Sequence, residues 1–170
     1  MNTILDKEQL KLTLRRLAHQ LLENNSGPEE IAFIGIQKGG VFVSDRIIQH
    51  VKELHPGAKI NYGKLDITFY RDDVRNELHI ANQTDIPFSV EGKKVILIDD
   101  VLYTGRTIRA ALDALQDFGR PEKVELCVLV DRRFNRQLPI QPDFCGKAID
   151  TNEKQKVKVE QERGEVVMYP

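Results

Sequence analysis

The feature that most narrows what this chain can fold into is the run Val95-Ile96-Leu97-Ile98-Asp99-Asp100-Val101-Leu102-Tyr103-Thr104-Gly105-Arg106-Thr107. Consecutive apolar residues with no polar alternation predict a parallel strand over Lys94–Ile98 that is covered on both faces. Ile108, Ala111, Leu112 and Leu115 then recur at helical spacing over Thr107–Phe118, and Gly119-Arg120-Pro121 closes that helix. In an open parallel sheet, ligands lie beyond the carboxyl ends of the strands. There this run delivers adjacent carboxylates and then a small-residue turn.

The same alternation extends along the chain. Leu10, Leu14, Leu17, Leu21 and Leu22 mark a helix from Asp6, its cap, to Asn24. Ile31–Ile36 predicts a strand, Gln37-Lys38-Gly39-Gly40 a turn, and Val41, Val43, Ile47, Ile48 and Val51 a second helix. Ala58–Phe69 alternates in part as a strand does, and Val124–Val130 is another buried strand. Strands alternating with helices imply an α/β fold with a mostly parallel sheet and right-handed crossovers. Leu138–Ile140, Val157–Val159 and Val166–Tyr169 are shorter strand candidates. Tyr70–Pro87 has neither period, and a polar loop that long inside a compact domain is more often functional than structural.

A length of 170 residues supports one closed core, so a single domain is expected. The formal net charge of −1 supplies no whole-molecule field toward nucleic acid or an anionic membrane. The polar start, Met1–Glu8, and the absence of a long uncharged apolar stretch predict a chain that is neither secreted nor membrane-spanning. Cys127 and Cys145 lack metal-knuckle spacing and read as reduced thiols of a cytoplasmic protein.

Chemistry follows from the central run. Backbone N–H groups of Thr104–Thr107, the hydroxyls of Thr104 and Thr107 and the positive end of the following helix suit a phosphate dianion. Gly105 lets the backbone approach it. Asp99 and Asp100 repel that phosphate, so they should face hydroxyl donors or a hydrated metal; a ribose diol and the water shell of Mg²⁺ fit. The Lys-Ser/Thr ending of a P-loop is absent, as is a G-x-G-x-x-G fingerprint.

Apolar residues, paired acids and a Thr-Gly turn resemble the phosphoribosyl pyrophosphate (PRPP) signature of the type I phosphoribosyltransferases. Over nearly the whole length the chain is similar to the PyrR-like proteins, pyrimidine operon attenuators that are also uracil phosphoribosyltransferases. The residues that carry this likeness include Ile4-Leu5-Asp6, Arg16-Leu17-Ala18-His19, Asp66–Asp73, Asp99–Arg106, Gly119-Arg120-Pro121, Val128–Arg132 and Leu138-Pro139-Ile140. The resemblance implies a type I phosphoribosyltransferase fold with a core over about 1–135, a C-terminal hood over about 136–170 and a mobile lid loop over about 70–88. It implies transfer of ribose 5-phosphate from PRPP to uracil, giving UMP and pyrophosphate, with Mg²⁺ as cofactor.

Residue roles follow from the same likeness. Asp99, Asp100 and Arg71 are the expected catalytic residues, the two acids meeting the metal indirectly. Lys38, Gly39 and the stretch Asp99, Asp100, Val101, Leu102, Tyr103, Thr104, Gly105, Arg106 and Thr107 are the expected PRPP contacts. Phe144, Cys145 and Lys147 are the expected base contacts, Phe144 either stacking on the ring or serving the core. Arg15, Arg16, His19 and Lys147 are the candidates for an RNA hairpin, and a homo-oligomer is expected. Departures from the family pattern are Lys38-Gly39 where Thr-Arg usually precedes a single glycine, and Asn24, Asn135 and Gln141 where cations are expected. The alternatives are an RNA-binding attenuator that only senses UMP or PRPP, and a transferase for a purine, for which Asp150 is the nearest available acid.

Overall fold

The computed structural model describes residues 1–70 and 84–170. Ile31–Ile36 (β2) lies parallel to Lys94–Leu102 (β4), in register from Ile31 beside Lys94 to Gly35 beside Ile98. Every residue of β2 is buried, as expected for a strand with no face to give to water. Around this pair a parallel sheet forms in the order β3-β2-β4-β5-β6, with β3 Asn61–Leu65, β5 Lys123–Arg133 and β6 Phe144–Asp150.

Strand alternation divides the core. Ile96 and Ile98 of β4 join Leu14, Leu17 and Leu21 of α1 (Lys7–Glu23) and Val43 and Ile47 of α2 (Gly39–Leu54). Val95 and Leu97, pointing the other way, join Ile108, Ala111 and Leu115 of α3 (Arg106–Leu115). Leu17 and Leu21 are fully buried, each contributing roughly 1.5–3 kcal/mol relative to an exposed side chain.

Helix α1 has the boundaries its leucine spacing predicts, because Asp6 closes it with a complete capping box. The Asp6 carboxylate accepts the Gln9 N–H at 2.8 Å, and the Gln9 side chain accepts the Asp6 N–H at 3.0 Å. Elsewhere the elements depart from expectation. Strand β4 runs on to Leu102, so the paired acids are part of the strand. The strand expected over Ala58–Phe69 shortens to β3 and gives way to a 3₁₀ turn at Thr68–Tyr70, where Asp66 accepts the Thr68 N–H and hydroxyl. Leu138–Ile140 is no strand; it bends to place its backbone against Thr104.

Residues 136–170, expected as a hood, divide between two sheets. Strand β6 is an edge of the central sheet, whereas β7 (Lys156–Glu160) and β8 (Glu165–Tyr169) pair antiparallel and recruit β1 (Asn2–Leu5) in the order β1-β8-β7. Of the expected lid, residues 71–83 lie outside the described residues, Arg71 among them. Residues 84–88 are held: Asp85 bridges Lys64 through both backbone groups, and Ile86 and Phe88 pack on the α3 side of the core.

Candidate active site

At the carboxyl edge of the sheet, the turn from β4 into α3 encloses a cavity of about 440 Å³ whose lining includes Asp99, Val101, Tyr103, Thr104, Arg106 and Gln137. Leu102, Gly105 and Thr107 also line it, so these expected PRPP contacts gather at one place. Gly105 has φ +93°, a left-handed conformation that glycine adopts without strain. It forms the N-cap of α3 with no side-chain cap and no acid in the first turn. The Thr104 hydroxyl accepts the Arg106 N–H only at 3.3 Å. A helix start left in this state presents N–H groups and partial positive charge toward the cavity.

The second turn, between β2 and α2, abuts the paired acids. The Gln37–Lys38 peptide bond is cis, and Lys38 is the exposed N-cap of α2, again with no side-chain cap and no acid in the first turn. Glycine at 39 is demanded by packing: a Cβ there would lie 2.0 Å from an Asp100 carboxylate oxygen. At Gly40 a Cβ would lie 2.4 Å from the Ile98 carbonyl oxygen and 3.2 Å from Asp99 Oδ1. These glycines therefore let the acids of β4 press against the turn. Asp99, 6% exposed, accepts the Asp100 N–H at 2.9 Å, and Asp100 accepts the Val101 N–H at 2.7 Å.

The expected base contacts separate. Phe144 faces the α1 side, buried in the same core cluster as Leu10, Leu14 and Cys127, in line with its serving the core. Alternation along β6 turns Cys145 to the other side, packed against the α3-side core and in register through Val128 with Asp99. Burial pushes the Cys145 thiol up, and nearby Asp131 adds to this, so it stays protonated near neutral pH. Lys147 donates to the Ile4 carbonyl at 3.0 Å.

Two of the expected RNA contacts are likewise occupied within the fold. Lys147 is one. Arg16 donates to the Gly146 carbonyl at 2.5 Å and to the Cys145 carbonyl at 3.4 Å, joining α1 to β6. Arg15 and His19 remain exposed on α1. Asp150, the acid of the purine alternative, is bound by Arg133 at 2.7 Å.

Sequence reasoning places Asp131-Arg132 on the ligand side of the sheet but assigns no bracing role to Arg132 or Arg136. Arg132, 5% exposed, lays its guanidinium 3.9 Å from the Tyr103 ring centre and donates to Thr151 Oγ1 and to the Asn152 and Gln155 carbonyls. Burial lowers its pKa, while Tyr103 acts in the opposite sense. Arg136 pairs with Asp131 at 2.7 Å. A signal was present, since a run of arginines after a buried strand in a near-neutral chain invites buried partners.

Among the described residues no three His, Cys, Asp or Glu side chains converge as a metal cage. Two neighbouring carboxylates suit a hard cation that keeps waters and takes its other oxygens from a bound phosphate, as Mg²⁺ does. No helix among the described residues is long and apolar enough to cross a membrane.

Comparison with known proteins identifies the family and the fold. The phosphoribosyl transferase domain profile matches residues 1–162. Bifunctional protein PyrR of Geobacter sp. (strain M21) is 48% identical over 158 residues, 92% of this chain and 88% of the relative. The Enterococcus faecalis (strain ATCC 700802 / V583) protein of the same name is 45% identical over 163 residues, 94% of this chain and 89% of the relative. A Staphylococcus aureus hypoxanthine phosphoribosyltransferase superposes with TM-score 0.70 at 22% identity, covering 88% of this chain and 77% of that one. The Trypanosoma cruzi hypoxanthine phosphoribosyl transferase gives 0.73 at 14%, covering 99% and 91%. These two solved structures establish the fold alone. With the profile spanning nearly all of it and close relatives along its length, the chain belongs to the phosphoribosyl transferase domain family and, within it, to the PyrR proteins.

Proposed function

We propose that this protein is a uracil phosphoribosyltransferase that moves ribose 5-phosphate from PRPP to uracil, and that it also acts in pyrimidine gene regulation through RNA. The observation that carries the reading is the pair of helix starts, α2 and α3, that open without side-chain caps at one sheet edge with Asp99 and Asp100 between them. The 5-phosphate rests on the Thr104–Thr107 amides and hydroxyls. Asp99 and Asp100 face the ribose and stabilise positive charge as the bond from its anomeric carbon to pyrophosphate breaks and the bond to uracil nitrogen forms. Lys38, with Arg71 from outside the described residues, meets the charge of the departing pyrophosphate. Asp99 and Asp100 would hold Mg²⁺ through its waters, and it would supply positive charge for the departing pyrophosphate. Backbone groups near Cys145, on the row of Asp99, read the edge of the base.

Regulation draws on the exposed Arg15 and His19 of α1. A homo-oligomer is part of the proposal, since Leu12 on the same helix is 57% exposed. So is a cytoplasmic setting, consistent with the free thiols of Cys127 and Cys145. Turnover with PRPP and Mg²⁺ against uracil, hypoxanthine, guanine and adenine tests the reading. UMP is the expected product; asparagine at both 99 and 100 should lower its rate by about 10³-fold with the fold intact. Purine turnover, or undiminished UMP formation by the double variant, would refute it.

A further inference from the structure

We propose that Arg136 is a positioning residue: by holding the Tyr103 carbonyl on one side of the chain, it aims the amides of the phosphate turn at the 5-phosphate on the other. This rests on the phosphoribosyl transfer reading above. Each nitrogen of the guanidinium is engaged. Nη1 donates to the Tyr103 carbonyl at 2.6 Å, Nε to the Ile140 carbonyl at 2.7 Å and Nη2 to Asp131 Oδ1 at 2.7 Å. The Arg136 side chain is 19% exposed and that of Asp131 12%, so solvent and salt screen the pair weakly. The next two residues continue the grip. Gln137 and Leu138 donate their N–H groups to the Thr104 carbonyl at 2.9 and 3.2 Å, and Gln137 Oε1 accepts from Arg106 Nε at 2.7 Å.

Peptide geometry converts this grip into a direction. In a trans peptide the carbonyl and the following N–H point opposite ways, and the peptides of this turn are not cis. Fixing the Tyr103 oxygen against Arg136 therefore turns the Thr104 N–H away from the 136–138 segment. Fixing the Thr104 oxygen turns the Gly105 N–H the same way. Without these bonds the peptide before Gly105 is free to rotate, since glycine tolerates either sign of φ. A rotated carbonyl would set a negative oxygen against a phosphate dianion. Only a planar fork serves three acceptors in different directions at once, which a lysine ammonium at the end of a flexible stem does not reproduce.

The test compares wild type with Arg136→Gln, Arg136→Lys and Asp131→Asn. It reads steady-state kinetics with PRPP and uracil and equilibrium binding of ribose 5-phosphate and of pyrophosphate. Arg136→Gln should raise the PRPP KM and the ribose 5-phosphate Kd by about tenfold or more, as expected for a cradle displaced by a fraction of an ångström. The pyrophosphate Kd and kcat at saturating PRPP should stay within about threefold, the pattern of a lost uniform binding interaction. Arg136→Lys should fall between, and Asp131→Asn should give a smaller shift of the same selectivity if Arg136→Gln does not fold. Equal weakening of both ligands, or no change in ribose 5-phosphate binding, overturns the role of Arg136 and leaves the transfer reading standing. Selective loss of ribose 5-phosphate binding without any uracil turnover in wild type upholds Arg136 and overturns the transfer reading. Wild type that binds no ribose 5-phosphate overturns both.

Discussion

Helix α1 opens by satisfying its own first amides, through the reciprocal bonds of Asp6 and Gln9 and with Glu8 in its first turn. Helices α2 and α3 open at the carboxyl edge of the central sheet with no side-chain cap and no first-turn acid. The same backbone groups are thus closed in one place and left for a ligand in the other. What α3 lacks in capping it gains in bracing from behind, where Arg136, Gln137 and Leu138 hold the carbonyls of Tyr103 and Thr104. The α2 turn is tied to β3 instead, the Gln37 N–H donating to the Leu65 carbonyl at 2.9 Å, and glycines there let Asp100 pack against it. Under the proposed function, the turn braced from behind meets the phosphate that stays with the sugar, and the turn with the exposed Lys38 meets the pyrophosphate that leaves.

Adding an acid where α1 tolerates one breaks this contrast most severely. Thr107→Glu should favour the α3 dipole by about 0.3–1 kcal/mol in denaturant melts. The same charge beside a phosphate dianion should raise the PRPP KM by about 10²-fold or more. Gain of stability with loss of binding is the signature sought; unaltered KM would mean the phosphate sits elsewhere. Gly39→Ala forces a methyl onto the Asp100 carboxylate, so urea unfolding should register a loss of about 1–3 kcal/mol, with slower turnover as the acid shifts. Unchanged stability of the Gly39→Ala variant would show that the two turns pack more loosely than described. Smallest is Asp6→Ala, which should lower stability by about 1 kcal/mol in the same melts and leave kcat and KM as they were. Altered kinetics would tie the start of α1 to the site.

Legibility in the sequence tracked how local each cause is. Helix α1 was readable to the residue because leucine spacing and a cap lie within one segment. Strand β2 and the start of β4 were readable because burial on both faces leaves an uninterrupted apolar run. Strands β1 and β6 escaped notice, for β1 is short and mostly exposed and β6, at a sheet edge, reads Phe-Cys-Gly-Lys-Ala-Ile-Asp with little period of its own. The side to which Phe144 or Cys145 turned was likewise hidden, since one residue of register exchanges the faces.

Taken by itself, the sequence determined that this chain forms an alternating α/β domain with a phosphate-sized, glycine-bearing turn following paired acids. It could do so because apolar period, caps and turn residues act over a few neighbouring positions. Only the tertiary structure decided which cations face ligand and which face protein. Arg16, Lys147, Arg132 and Arg136 are alike as sequence letters, yet all four are committed to carbonyls or carboxylates of their own chain. A guanidinium binds whichever acceptors the packed backbone brings within reach, and most of those acceptors are distant in sequence.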